Sequence, residues 1–325
     1  MKPRVYITRK LPEAIVKKIS SICDMRMWNE AETPVPREVL EKEIQEADGL
    51  LCLLTEAIDD SIMNKAKHLK IIANMAVGYN NIDLDSATKR GIMVTNTPGV
   101  LTETTADLTF ALLMATARRL VESSDYLRNG EWQTWSPMQL TGQDIYGATL
   151  GIVGLGRIGE ALVKRAKGFD MNVLYYNRSR KPEKEKDLGI EFSSLESLLA
   201  SSDFVCVMTP YTKETHHLIG AEQLGLMKES AVLINTARGG IVDEEALYRA
   251  LIDKQIWGAG LDVFEQEPVC VDHPLIKLPN VVTLPHIGSA SIATRTKMAE
   301  LAVMNLLQGV TNSTPENLLN KLEVK

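Results

Sequence analysis

The sequence predicts an α/β protein of two domains, each built on a parallel sheet, and three observations carry that prediction. The chain has 325 residues, a length that suits two domains better than one. Short β-branched runs alternate with amphipathic stretches, the pattern of strands joined by helices in parallel sheets. This alternation comes as two series, one on each side of a long helical stretch. Hydrophobic residues make up 45% and charged residues 24% of the chain, an ordinary composition for burying real cores.

The first series reads "RVYIT", "MRMWN", "GLLCLL", "KIIANM" and "IMVTNT" as strands, with "PEAIVKKISS" and "PREVLEKEIQEA" as helices between them. It ends near Pro98 and Gly99. A helix is expected from about Leu101 to Arg128, with Thr102 as its N-cap and Asn129-Gly130 as its stop signal. The second series opens with "ATLGIVGLGRIGEALVKRAK" and continues through "NVLYYN", "FVCVMT", "AVLINTA", "GAGLDV" and "VVTLP". Its strands end in small or polar residues, where ligands collect in such sheets. A last helix, roughly Ala290 to Gln308, follows the second sheet, so the chain is expected to return to the first domain. The boundaries read as 1–99 plus 289–325 for one domain and 100–288 for the other.

Bulk properties exclude several classes. Net charge is -6 with a sequence pI near 5.6, and no block of like charges is long enough to serve nucleic acid or a membrane surface. Cys23, Cys52, Cys206 and Cys270 show no metal-ligand or redox spacing, and three of them sit in apolar surroundings, as in a reducing compartment. No metal site is expected. The opening "MKPRVYITRK" has no apolar leader region, and "LTFALLMATA" is too short to span a bilayer. A cytoplasmic protein is expected.

In "LGIVGLGRIGEAL" a buried-strand pattern runs into Gly154-x-Gly156-x-x-Gly159 and then into a helix. Gly154 permits a tight turn, Gly156 lets the backbone approach a pyrophosphate, and Gly159 lets helix and strand pack closely. The helix start at Arg157 and Ile158 offers free N–H groups to phosphate. A second strand ending at Asn177 completes a Rossmann-type dinucleotide unit. At that strand end, "YYNRSRK" holds Asn177 where an NAD-binding acid is usual. Arg178, Ser179, Arg180 and Lys181 instead offer cations and a hydroxyl to a 2′-phosphate. NADP(H) is therefore expected, with NAD(H) possible. Each charge-assisted hydrogen bond contributes roughly 1.5–3 kcal/mol, so one or two shift the preference by about ten- to a thousandfold. The following "PEKEKD" carries acids that can balance the same charges.

Hydride transfer to a keto acid needs a cation for the carboxylate and carbonyl, and a proton donor for the forming alkoxide. Of the five histidines, His68, His216, His217 and His273 lie in polar loops. His286 ends the strand "VVTLP" before the small-residue turn "IGSA". Arg238 in "INTARGGIVDEEAL" and Glu267 in "GLDVFEQEP" also follow strand ends. A carboxylate beside His286 favours the charged imidazolium and keeps a proton ready at neutral pH. Strand-end charges can equally be plain surface.

These residues, in this order, resemble the D-isomer-specific 2-hydroxyacid dehydrogenase family. "VGYNNID", "TADLTFALL", "LGIVGLGRIG", "NTARGGIVDEEAL", "GAGLDVFEQEP" and "LPHIGSA" match its blocks over nearly the whole chain. The branch it resembles joins glyoxylate/hydroxypyruvate reductases with 2-ketogluconate reductases, which share such "YYNRSR" loops and NADPH preference. The resemblance implies a Rossmann domain inserted in a flavodoxin-like substrate domain, with a cleft between them. It implies His286 as general acid/base, Glu267 as its pairing carboxylate and Arg238 as the substrate-binding cation. Asp262 and Thr105 would lie at the nicotinamide end, Thr209, Pro210 and Thr215 along the adenosine side, and Thr236, Ala237 and Gly288 among the other cofactor contacts. Leu54, Val77 and Gly78 would meet the substrate. The family also implies a homodimer built largely from cofactor domains, in which Trp135 can reach the partner's active site or simply pack in the interface.

The expected reaction is reduction of a small 2-keto acid, such as glyoxylate, hydroxypyruvate or 2-ketogluconate, to the D-2-hydroxy acid. For the larger acid, Thr55, Asn80, Ser289 and Arg295 are candidate polar partners. Related scaffolds act on 3-phosphoglycerate, D-lactate or formate. Asn177 argues against the first, which usually keeps an acid there, and Glu267 against the last, which uses glutamine. The short-chain dehydrogenase pair Tyr-x-x-x-Lys occurs only as Tyr6 with Lys10, far upstream of the glycines. Some relatives are dinucleotide-sensing interaction proteins, and weak turnover of every 2-keto acid would mark that class.

Overall fold

The computed structural model describes residues 2–320. They form two compact units: one runs to Leu101 and resumes at Ser291, and the other is Thr102–Ala290.

In the first unit, strands β1 (Arg4–Ile7), β2 (Asp24–Met27), β3 (Gly49–Cys52), β4 (Ile71–Asn74) and β5 (Met93–Thr95) are linked by helices α1 (Glu13–Ile22), α2 (Arg37–Glu43), α3 (Asp60–Lys65) and α4 (Leu84–Lys89). The strands pair in parallel in the order β2-β1-β3-β4-β5, a flavodoxin-like order with its switch point between β1 and β3. The runs "GLLC" and "IIAN" are buried throughout, as strands covered on both faces must be. Asp59 and Asp83 start α3 and α4 by accepting the N–H groups of Ile62 and Ser86 at 3.0 and 2.9 Å, which satisfies orphan donors at each helix start.

The second unit opens with two helices, α5 (Thr102–Ala117) and α6 (Leu120–Arg128), where the sequence suggests one. The break has a local cause. Arg119 adopts the left-handed region, φ 52°, and Gln143 N–H donates to the carbonyl of Ala117 at 2.8 Å, taking an acceptor that a continuing helix would use. Thr102 is the first helical residue rather than a cap. Strands β6 (Thr149–Val153), β7 (Asn172–Tyr176), β8 (Glu191–Phe192), β9 (Phe204–Val207), β10 (Val232–Asn235), β11 (Gly258–Leu261) and β12 (Val281–Thr283) follow, with α7 (Arg157–Lys167), α8 (Pro182–Leu188), α9 (Leu195–Ser201), α10 (Ala221–Gly225) and α11 (Glu244–Ile252) between them. All strand pairs are parallel, in the order β12-β11-β10-β9-β6-β7-β8. This is the doubly wound Rossmann order with its switch point between β6 and β9. The short exposed β8 is a strand that the sequence pattern does not announce.

The chain then returns to the first unit as α12 (Ile292–Val310). Ala299, Ala302, Val303 and Leu306 from this helix join Val5, Ile7, Ile15, Ile19 and Leu51 in one core layer. On the other face of the same sheet, Leu50, Ile58, Ile62, Ile72 and Val94 make a second layer.

Candidate active site

At the switch point of the second unit, Gly154 has φ 105°, a conformation that side chains rarely adopt. A Cβ there would also lie 2.6 Å from the backbone nitrogen of Thr209. Both facts require glycine. Gly156 caps α7, and a Cβ on it would meet open space, so its backbone faces solvent. The first-turn N–H groups of Arg157, Ile158 and Gly159 lie outside the helix ladder and project beside it. This exposed cradle of N–H groups at a helix N-terminus fits the pyrophosphate of a dinucleotide.

The loop after β7 lies against that cradle. Asn177 Oδ1 accepts Leu155 N–H at 2.8 Å, and Lys181 Nζ donates to the Leu155 carbonyl at 2.5 Å. Arg178 and Ser179 are exposed. Arg180 differs: its guanidinium pairs with Glu185 at 2.7 Å, so an acid of α8 already neutralises it. The buried Tyr175 hydroxyl also donates to Glu185 at 2.7 Å and accepts Lys181 N–H at 2.7 Å. The loop is thus held from both ends. Pro210 and Thr215 share a turn after β9, where the Thr215 hydroxyl donates to the Pro210 carbonyl at 2.8 Å.

The carboxyl ends of β10, β11 and β12 place Arg238, Glu267 and His286 around one point of the unit. His286 Nδ1 donates to Glu267 Oε2 at 2.6 Å, a charge-assisted distance, which leaves Nε2 directed away from the carboxylate. Glu267 Oε1 accepts Phe264 N–H at 3.1 Å. Burial pushes Glu267 up, but the His286 bond and charge, the Phe264 N–H and the Arg238 charge outweigh it and hold the carboxyl below its ordinary value. Burial pulls Arg238 down from the ordinary guanidinium value, and Glu267 opposes it. Arg238 donates to the Ala237 carbonyl at 2.7 Å. Gly239, next to it, packs so closely that a Cβ would lie 1.8 Å from the carbonyl carbon of Phe264. Arg238 and the loop bearing Glu267 are therefore joined without a spacer.

Asp262 organises the turn that presents His286. Its two carboxylate oxygens accept Ile287 and Gly288 N–H at 2.7 and 2.8 Å, and its carbonyl accepts His286 N–H at 2.9 Å. His286 takes φ 54° within this turn. Asp262 is fully buried; burial pushes its carboxyl up, and the two N–H groups and His286 pull against that. Thr105 lies beside Gly288, and the Thr236 hydroxyl is bonded to that of Thr109 at 2.7 Å. The structure thus groups Thr105, Asp262 and Gly288 with His286. The sequence pattern had not revealed Asp262 as the anchor of this turn.

In the first unit, Leu54 follows β3 in a turn fixed by a buried acid. Glu56 accepts Leu53 N–H at 2.8 Å, the Thr8 hydroxyl at 2.6 Å and the Arg9 guanidinium at 3.2 Å. Val77 and Gly78 follow β4, and their carbonyls accept the side-chain amides of Asn96 and Asn74 at 2.8 and 2.9 Å. Among the described residues, the N–H groups of Val77 and Gly78 make no hydrogen bond to another residue. Trp135, in the second unit, is 75% exposed. Three of the other histidines have structural partners: His216 sits by the Tyr211 hydroxyl, His217 by Glu265 and His273 by Glu244; His68 is exposed. No group of three or more His, Cys, Asp or Glu side chains able to hold a metal occurs among the described residues. Nor is any described helix long and apolar enough to cross a membrane.

A doubly wound sheet with a phosphate cradle at its switch point, and an imidazole–carboxylate pair beside an arginine at its strand ends, defines a nicotinamide dinucleotide-dependent oxidoreductase. Comparison with known proteins agrees. Residues 110–288 match the family model described as D-isomer specific 2-hydroxyacid dehydrogenase, NAD binding domain. The chain is 53% identical over 326 residues to the glyoxylate reductase of Korarchaeum cryptofilum, covering 100% of this chain and 98% of that protein. Among solved structures, a Thermus thermophilus protein matches with a TM-score of 0.91 at 47% identity, over 98% of this chain and 100% of that one. A Sinorhizobium meliloti NADPH-dependent glyoxylate/hydroxypyruvate reductase in complex with NADP and malonate matches with a TM-score of 0.84 at 32% identity, over 98% and 97%. The chain belongs to the D-isomer specific 2-hydroxyacid dehydrogenase family.

Proposed function

We propose that the protein is an NADP(H)-preferring reductase that converts a small 2-keto acid, glyoxylate or hydroxypyruvate before 2-ketogluconate, to the D-2-hydroxy acid. The observation that carries this reading is the 2.6 Å bond between His286 and Glu267 beside the Arg238 cation. The name glyoxylate reductase, carried by relatives about half identical in sequence, supports glyoxylate, and a glyoxylate/hydroxypyruvate reductase at 32% identity supports hydroxypyruvate.

In this reading the second unit binds the dinucleotide and the first unit helps hold substrate. The reduced nicotinamide, when bound, supplies a hydride to C2. Arg238 neutralises the substrate carboxylate and polarises the C2 carbonyl, so that charge developing on oxygen is met by a preorganised cation. His286 delivers the proton from Nε2 to that oxygen, and Glu267 stabilises the imidazolium before transfer and fixes the ring through Nδ1. Asp262, Thr105, Thr236, Ala237 and Gly288 serve the nicotinamide side, and Thr209, Pro210 and Thr215 the adenosine side. The N–H groups of Val77 and Gly78 serve the substrate carboxylate, with Leu54 beside them.

Preference for NADP(H) rests on the absence of an acid at Asn177 and on the exposed Arg178 and Ser179. Arg180 contributes less than the sequence suggests, because Glu185 neutralises it. A homodimer is part of the same proposal: Leu120, Val121, Leu127, Trp132, Trp135 and Met138 leave apolar surface exposed on the second unit, more than isolated surface residues explain. Buried Cys23, Cys52 and Cys206 suit a reducing, cytoplasmic setting.

Initial rates with glyoxylate, hydroxypyruvate and 2-ketogluconate, each with NADPH and NADH, test the proposal. The expected kcat/KM favours NADPH by about tenfold or more and glyoxylate or hydroxypyruvate over the sugar acid. Equal or better use of NADH would remove the role given to Arg178 and Ser179. Negligible turnover of all three acids would overturn the substrate reading.

A further inference from the structure

The loop that carries Glu267 is clasped from its far side by a residue that touches neither substrate nor cofactor in the proposed reaction. Glu244, the first residue of α11, accepts Glu265 N–H through Oε1 at 2.7 Å. In return, Glu244 N–H donates to Glu265 Oε1 at 3.3 Å. That second bond satisfies a helix-start donor that has no partner in the ladder. The other Glu244 oxygen meets His273 Nε2 at 3.1 Å, and its side chain is only 13% exposed. Glu265 is further held by His217 Nε2 at 2.9 Å, and His217 Nδ1 lies 3.6 Å from Asp243, the N-cap of α11.

The segment between the clasp and the reacting groups is short. Phe264 N–H fixes Glu267 Oε1, and the Phe264 carbonyl lies against Gly239 with no room for a Cβ. Phe264–Glu267 is therefore gripped by Gly239 on one side and by Glu244 on the other.

We infer that Glu244 is a positioning residue: its reciprocal bonds with Glu265 hold Glu267 at bonding distance from His286. This rests on the reading of Glu267 and His286 as the acid–base pair. The charged groups facing that pair are Arg238 and Asp262. A carboxylate that drifts from its imidazole partner stabilises the protonated ring less, and a misplacement of about 1 Å can cost on the order of a hundredfold in rate.

The test compares kcat and KM across pH for glyoxylate reduction with NADPH in the wild type, Glu244→Ala, Glu244→Gln and Glu267→Gln. Glu244→Ala is expected to lose about ten- to a hundredfold in kcat and to move the alkaline limb to lower pH, with the KM for NADPH unmoved. Glu244→Gln keeps an oxygen for Glu265 N–H and is expected to restore most of the rate and the limb. If Glu244→Ala does not fold, Glu244→Asp, whose carboxylate is shorter by one methylene, takes its place in the comparison. A folded Ala or Asp variant with the wild-type limb overturns the inference, as does a Gln variant as impaired as either. Glu267→Gln separates the two levels: if it leaves the limb in place, the acid–base reading itself fails, whereas a shift in Glu267→Gln alone removes only the role of Glu244.

Discussion

Replacing Asp262 by asparagine tests the turn that presents His286 without touching the imidazole. In the native turn both carboxylate oxygens accept backbone N–H groups, at 2.7 and 2.8 Å, in a fully buried position. Asparagine can keep one of these bonds, while its NH₂ group must face the other N–H. Loss of one hydrogen bond to a charged group removes about 1.5–3 kcal/mol, and a buried donor left without an acceptor adds a further ~1–3 kcal/mol. Part of this is offset because the neutral amide escapes the burial that pushes the Asp262 carboxyl up. A net loss of about 2–4 kcal/mol is expected, which lowers Tm by roughly 4–16 °C for a unit of this size. The left-handed conformation of His286 depends on the same turn, so kcat should fall by about tenfold or more at pH 7. Calorimetry and initial rates on one preparation give both numbers. A variant that melts within about 1 °C of wild type and turns over normally would refute the anchoring of His286 by Asp262.

Gly154→Ala introduces a Cβ 2.6 Å from Thr209 nitrogen at φ 105°; it should lose dinucleotide affinity by tenfold or more, read by fluorescence titration, and unchanged affinity would contradict the cradle. The exposed apolar surface around Leu120–Met138 predicts a sedimenting species of twice 36.0 kDa at micromolar concentration, and a monomer there removes the dimer proposal. Arg37 holds the carboxyl of Asp59 at about 2. A carboxyl lowered in the folded state stabilises fully above its ordinary value and loses that contribution as pH falls toward 2. Because both side chains are nearly half exposed, solvent screening keeps the contribution small. Arg37→Ala should move Asp59 titration upward by NMR, and an unmoved Asp59 would show that the pair is idle.

How much was legible in the sequence depended on range. The glycine spacing, the strand-end residues and the alternating series are local patterns, and they led to both parallel sheets and to the loops bearing Arg238, Glu267 and His286. The break between α5 and α6 was not legible, because it is made by Gln143, far along the chain from Ala117, and by one residue in a left-handed conformation. β8 carries two exposed residues and hence no alternation. The charges after Asn177 could be read either as a phosphate site or as balanced by "PEKEKD". The structure divides them, leaving Arg178 exposed and Arg180 paired with Glu185. The Glu244–Glu265 clasp joins acids 21 positions apart, and it forms where Gly239 packs closely against Phe264, a long-range contact that no local pattern announces.

The return of α12 to the first unit also has a bearing on biosynthesis. Residues 102–290 are one continuous stretch with their own cores, so they can fold as soon as they have left the ribosome. The sheet of the first unit is made earlier, yet the layer containing Val5, Ile7, Ile15 and Leu51 is closed by Ala302, Val303 and Leu306, which are translated only after the whole second unit. Through that interval the nascent apolar sheet face is covered on this side by α1 without α12, the kind of partly exposed surface on which chaperones act and aggregation begins. The unit translated first is thus the one completed last.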